Sequence, residues 1–292
     1  MKKTFKLIPF LLVLISFSLF GGSVSTLALQ YNEVPISEQI LVFDNNNTNR
    51  LPNNFRKSTD PVDNSTNLNL SGLKELNISG SQQFSKFNLE LLKKQLPSDK
   101  NLVFIDLRQE SHGFINGLPI SWEGDGDKAN MGLNYNQVIA RNNAQLSSIK
   151  IGEPLTIKNT TIVPKEVYSE ETLIKENNNQ YIRIPVTDTK LPTPEMVDLF
   201  VSSVTNLPEN SWLHFHCKEG IGRTTTFMTM FDMMKNAKTV PLNDIVLRQI
   251  KLANLEDKEK GLESATRMAF YNKFYAYAKN GDFTKKFSEF NN

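Results

Sequence analysis

The apolar patterning of this chain predicts an α/β fold, a central and mainly parallel sheet flanked by helices, and three segments carry the prediction. Leu102 to Leu107 and Trp212 to Phe215 are short apolar runs of the kind that form strands buried on both faces. Thr224 to Lys235 carries Phe227, Met228, Met230, Phe231, Met233 and Met234, as a buried helix does, with methionine serving as core filling. Between that second strand and this helix lies His216-Cys217-Lys218-Glu219-Gly220-Ile221-Gly222-Arg223-Thr224, which holds the one cysteine of the chain. Cys217 therefore falls at the carboxyl end of a strand, where open α/β sheets place their sites.

The remaining elements follow in chain order. Lys2, Lys3 and Lys6 precede an apolar run from Leu7 to Phe20, then small residues and Thr26-Leu27-Ala28. The run is short for a membrane span of about 20 residues and predicts a secretory signal peptide over 1–28, cut after Ala28. The lysine-rich start favours export across a bacterial cytoplasmic membrane, with no stable membrane anchor once the signal is removed. Asp44 to Asn69 is rich in Asn, Ser, Thr, Asp and Pro and reads as loop. Leu89 to Leu96 predicts a short helix stopped by Pro97, and Leu102 to Leu107 the first core strand. Leu155-Thr156-Ile157, Thr161-Ile162-Val163 and Tyr181-Ile182-Arg183-Ile184 read as short strands, together an inserted β subdomain. Thr193-Pro194-Glu195 marks the start of a further helix.

Composition bounds the function. At 292 residues with 39% hydrophobic content, the chain suits one large domain with an accessory piece. A net charge of +2 is too small to argue for nucleic acid as a partner, and none is expected, so any affinity for anions is local. A single cysteine excludes an intramolecular disulfide, and three histidines without metal-ligand spacing predict no metal site.

The cysteine segment carries the chemistry. A loop of that length can wrap so that consecutive N–H groups face one anion, with Gly220 and Gly222 permitting the backbone angles and the helix N-terminus adding to the field. The field that holds a phosphate also favours a thiolate over a thiol. Arg223 offers a planar fork to two phosphate oxygens, and the Thr224 hydroxyl is placed to donate to the sulfur. The alternative is a buried structural cysteine beside a turn. A nucleophile also needs a proton donor for the leaving group, and Asp188, in Pro185-Val186-Thr187-Asp188-Thr189-Lys190 between a strand and a helix, is the best candidate.

The His-Cys-five-residues-Arg-Thr signature resembles the cysteine-dependent protein tyrosine phosphatase superfamily. Asp106-Leu107-Arg108-Gln109-Glu110-Ser111-His112-Gly113, Ser121-Trp122, Ala129-Asn130-Met131-Gly132 and Ser79-Gly80-Ser81-Gln82-Gln83-Phe84-Ser85 are similar to segments of the bacterial inositol polyphosphatases of that type, the cysteine phytases. The resemblance implies a phosphatase domain over 66–148 and 184–290, with a small, partly open β-barrel-like subdomain from 31–57 and 149–183. It also implies hydrolysis of myo-inositol polyphosphates through a phosphocysteine, without metal or organic cofactor. Asp188, 29 residues before Cys217, matches the family's general-acid loop. Lys218, Glu219, Gly220, Ile221 and Gly222 become the phosphate loop, and Arg56, Asp127, Lys190 and Lys273 candidate substrate contacts. Thr189 stands where histidine is usual and Lys128 where tryptophan is usual. A phosphotyrosine or dual-specificity phosphatase acting on phosphoproteins would share the catalytic residues, and a non-catalytic phosphate-binding module is the alternative of another class.

Overall fold

The structure, a computed structural model, describes residues 39–65, 67–124, 128–255 and 260–290. The targeting segment expected over 1–28 lies outside them. In chain order run β1 (Ile40–Phe43), β2 (Arg56–Lys57), β3 (Ile78–Gln82), α1 (Lys86–Lys93), β4 (Asn101–Arg108), β5 (His112–Ile115), β6 (Leu118–Glu123) and α2 (Tyr135–Ser147). There follow β7 (Leu155–Ile157), β8 (Thr160–Ile162), β9 (Val167–Tyr168), α3 (Glu170–Glu176), β10 (Gln180–Val186), α4 (Pro194–Thr205), β11 (Ser211–Cys217), α5 (Gly222–Asn236), α6 (Leu242–Leu252) and α7 (Ala265–Asn280). Among the described residues no helix is long and apolar enough to cross a membrane.

The central sheet has the order β10-β4-β11-β3-β2, parallel throughout except for β2, which runs antiparallel to β3 at the edge. Strand alternation divides its two faces. Val103, Ile105 and Leu107 of β4, Leu213, Phe215 and Cys217 of β11 and Ile184 and Val186 of β10 join the large core formed with α4 to α7. The opposite face carries Phe104 and Trp212 in a smaller core with Leu89, Leu92 and Ile174, and it also carries buried polar groups: Asp106, Arg183, His214 and His216. Helix α1 starts earlier than its apolar run because Ser85 caps it, with Asn88 completing a capping box. Helix α4 starts as its sequence predicts, with Thr193 capping and Pro194 in the first turn.

The structure departs from the expected subdomain in three ways. Residues 180–186 form an edge strand of the central sheet: Ile184 and Val186 face the large core, and Tyr181 and Arg183 look polar in sequence because both partner the buried Asp106. Arg56 and Lys57 pair with β3 in that same sheet. The second sheet, β1-β6-β5-β9, draws on β5 and β6 from within 66–148. It is an open antiparallel sheet; with the separate β7–β8 hairpin it shares a small core of Ile115, Ile120, Trp122, Leu146 and Ile157, and the described ladders do not close it into a barrel.

Candidate active site

The loop after β11 folds back over its own strand. Cys217 is 3% exposed, and its Sγ accepts hydrogen bonds from the Gly220 N–H and the Thr224 hydroxyl, each at 3.2 Å. Gly220 has φ +74, and a Cβ there would lie 2.3 Å from the backbone of Ser81 and Gln82, so the loop's turn requires glycine on two counts. Gly222 differs from the expectation: it has no positive φ, and a Cβ there would meet none of the described residues beyond its own helix within 4 Å. Ile221 supplies no side-chain cap to α5, which leaves the amide end of that helix at the loop for an anion.

Arg223 reaches across the loop from the first turn of α5. Its Nη1 donates to Glu110 Oε2 at 2.7 Å and to the Val186 carbonyl at 3.0 Å, and its Nη2 donates to Glu110 Oε1 at 3.1 Å and lies 3.2 Å from Asp188 Oδ1. Among the described residues the buried Nε has no partner, which leaves an N–H for a ligand oxygen. Burial disfavours the charge on Arg223, but Glu110 and Cys217 outweigh it and raise the guanidinium above its ordinary range. Glu110 is likewise held well below the usual carboxylate range, against its burial, by Arg223 and Arg108. Arg108 extends the chain of charges: its Nε meets Glu110 at 2.7 Å and its Nη1 meets Asp44 at 2.8 Å.

Asp188 lies at the carboxyl end of β10 and is partly exposed, a third of its side chain meeting solvent. Its loop is held by the Thr187 hydroxyl donating to Gln109 Oε1 at 2.7 Å, and Thr189 adopts φ +62, a left-handed conformation costly for a β-branched residue. Asn130, from the Ala-Asn-Met-Gly segment, is buried and donates to the Gln109 carbonyl and to Ser111.

Of the expected outer contacts, Lys218 is at the loop, but its ammonium sits 2.7 Å from Glu123 and 3.8 Å from Asp44, so it ties the loop to the second sheet. Glu219 is exposed, and its carbonyl accepts from Asn54. Arg56 is not at the rim: it is 3% exposed and braces the loop from below, with Nη1 donating to the Gly220 carbonyl at 2.9 Å and Nη2 to Thr225 Oγ1 at 3.0 Å. Burial lowers its guanidinium to about 10. Lys190 is exposed and borders a groove of about 470 Å³ with Met131 and Tyr135. The Lys273 ammonium lies 5.1 Å from the Phe287 ring centroid, in the aromatic packing around α7 rather than among the groups at the loop. Asp127 lies outside the described residues.

Sequence spacing could not reveal the grouping of Asp106, His112 and Glu170, whose ligand atoms lie within 4.8 Å of one another. Arg183 Nε stands 3.2 Å from the same Asp106 oxygen that faces His112, so the group is an ion network with its cations built in. Glu110, the partner of Arg223, was also missed, although it lies inside the distinctive Asp106 to Gly113 block.

Comparison with known proteins agrees with this geometry. A family model for the protein tyrosine phosphatase-like phytases, described as "Inositol hexakisphosphate", matches residues 141–235. The chain is 31% identical over 250 residues to effector protein hopD2 of Pseudomonas syringae pv. tomato, covering 77% of this chain and 53% of that protein. It superposes with a TM-score of 0.77 and 32% identity on a myo-inositol phosphatase of Mitsuokella multacida solved in complex with myo-inositol-(1,3,4,5)-tetrakisphosphate, over 86% of this chain and 47% of the other. A phytase of this type from Bdellovibrio bacteriovorus superposes with a TM-score of 0.74 at 35% identity, over 87% of this chain and 95% of the other. The chain thus spans about half the length of the first two proteins and nearly all of the third. That near-complete match, on a fold that brings Cys217, Arg223 and Thr224 together at one strand end, means that the chain belongs to the protein tyrosine phosphatase-like phytase family.

Proposed function

We propose that this protein hydrolyses phosphate monoesters of myo-inositol polyphosphates through a phosphocysteine intermediate, after export directed by residues 1–28. The carrying observation is the convergence of Cys217 Sγ, the Arg223 fork and Asp188, the last 3.2 Å from the fork. The inositol bound to the Mitsuokella relative supports the substrate class.

In the first step the Cys217 thiolate attacks phosphorus in line; the S–P bond forms as the ester P–O bond breaks, and Asp188 gives its proton to the departing alkoxide. Arg223 and the loop amides match the charge on the equatorial oxygens. In the second step Asp188, now a carboxylate, takes a proton from water as its oxygen attacks phosphorus. The S–P bond breaks, inorganic phosphate leaves, and the Thr224 hydroxyl stabilises the returning thiolate. The residues at the loop supply each proton and charge in this scheme.

The test compares phosphate release from myo-inositol hexakisphosphate and from phosphotyrosine peptides, with EDTA present throughout. Preference for the inositol supports the proposal, preference for peptides reassigns the substrate, and abolition by EDTA or retention by Cys217→Ser overturns the mechanism. Asp188→Asn is expected to slow hydrolysis of inositol phosphates by about 10²-fold or more, and that of activated aryl phosphates far less, because only the poor leaving group needs the proton. Equal losses would place the acid elsewhere.

A further inference from the structure

β11 carries two histidines on its buried polar face, and their partners differ in kind. His214 sits between hydroxyls, with Nδ1 2.9 Å from Ser79 Oγ and Nε2 3.1 Å from Ser81 Oγ. Hydroxyls can both give and take a proton in a hydrogen bond, which suits a neutral ring. Burial, followed by the charge of His216, pushes His214 well below its ordinary range. His216 faces a carboxylate instead: its Nε2 lies 2.7 Å from Glu170 Oε1.

Glu170 is 1% exposed and enters this face from α3. Its other oxygen accepts from Gln83 Nε2 at 2.9 Å and lies 3.6 Å from His112 Nε2. Burial opposes ionisation there, but the field of His216, with the nearby His112, holds the carboxyl at about 2. The groups around it are Asp106 of β4, His112 of β5, Tyr181 and Arg183 of β10, and the Phe84 ring edge-on to His216 at 5.2 Å. Gln83 leads back to the loop, since its backbone N–H donates to the Lys218 carbonyl at 3.2 Å. Glu170 thus holds the residue before Cys217 and, through Gln83, the residue after it.

We propose that Glu170 is a positioning residue for the nucleophile. It acts through His216, which it pins at 2.7 Å behind the phosphate loop, and so favours the Cys217 thiolate without touching substrate. The proposal rests on the reading of Cys217 as nucleophile, but its test needs no phosphorylated substrate.

The measurement is the rate of Cys217 alkylation by iodoacetamide at pH 6 in the full chain and in Glu170→Gln, with melting temperature followed in parallel. The expected result is roughly tenfold slower alkylation in the variant, a loss of thiolate-favouring field. Direct action of the carboxylate on sulfur has the opposite sign: removing a nearby negative charge would speed alkylation. His216→Asn and the Glu170→Gln/His216→Asn double variant should be equally slow, because a residue acting through another adds nothing once its partner is gone. Glu170→Asp, which keeps the charge one methylene further back, should be intermediate, and it carries the test if Glu170→Gln does not fold. Unchanged or faster alkylation, or additive losses in the double variant, would overturn the proposal. If phosphate release failed in the parent chain while these alkylation differences held, the function would be reassigned and the positioning role would stand.

Discussion

Glu110 grips Arg223 with both carboxylate oxygens, at 2.7 and 3.1 Å, and so sets the plane in which the guanidinium meets a phosphate. Arg108 pins the same carboxylate from its other side at 2.7 Å. Replacing Glu110 by Gln removes the carboxylate shared by two buried arginines and leaves the fork held by the Val186 carbonyl and Asp188. A misplaced fork costs about 10²-fold in rate. Phosphate release should fall by that order and inhibition by vanadate should weaken with it; steady-state kinetics within threefold of the parent would show that the fork is fixed by other means.

Arg56 separates a brace from a substrate contact. Its bonds to the Gly220 carbonyl and Thr225 shape the loop that every substrate would use. Arg56→Ala is expected to reduce turnover of a small aryl phosphate and of inositol hexakisphosphate to the same extent, with a lower melting temperature. A selective loss on the hexakisphosphate would return Arg56 to the role of substrate contact.

The two loop glycines should respond unequally to alanine. Gly220→Ala drives a Cβ into the Ser81–Gln82 backbone at 2.3 Å in a left-handed conformation, and activity should fall by more than 10²-fold. Gly222→Ala meets none of the described residues beyond its own helix within 4 Å and replaces glycine by a better helix former, so melting temperature should hold or rise. Paired melting and activity measurements decide this, and equal behaviour of the two would refute the assignment.

Acid should unfold the protein through its buried ion network. Glu170, held at about 2, and Asp106 and Glu110, also lowered, contribute stability that is present above the ordinary carboxylate range near 4.5 and is lost as pH falls towards their folded values. His112 runs the other way: it is raised, so its contribution is complete below about 6.5 and is lost as pH climbs through its folded value. Calorimetry should find the melting temperature falling steeply between about pH 4.5 and 2, and Glu170→Gln should flatten that slope.

The apolar skeleton was legible in the sequence. Leu102 to Leu107, Trp212 to Phe215 and the methionine-rich helix announce themselves by hydrophobicity, and the loop between the last two appears as strand end, glycines and arginine. His216 beside the cysteine reads as buried, but the rest of this face was not legible, because Asp106, Arg183 and Glu170 find their partners across the chain and give no sign of them in sequence. For the same reason β10 was read as part of an insert, Arg56 as a rim cation and Lys218 as a substrate contact, although folding gives each a partner inside the protein. Lys273 lies over the Phe287 ring, and a lysine on a helix gives no sign in sequence of which aromatic ring it will cover.

The contact between Arg223 and Asp188 makes the loop an ion exchanger. Arg108, Lys218 and Arg223 already face carboxylates of the chain, so their field cancels at long range, and capture of a polyanion relies on short-range exchange more than on steering from afar. A phosphate that takes over Arg223 Nη2 displaces the Asp188 oxygen lying 3.2 Å away. Under the proposed mechanism, arrival of the ligand and the freeing of Asp188 would be one event, with Asp188 held by the arginine until a phosphate comes.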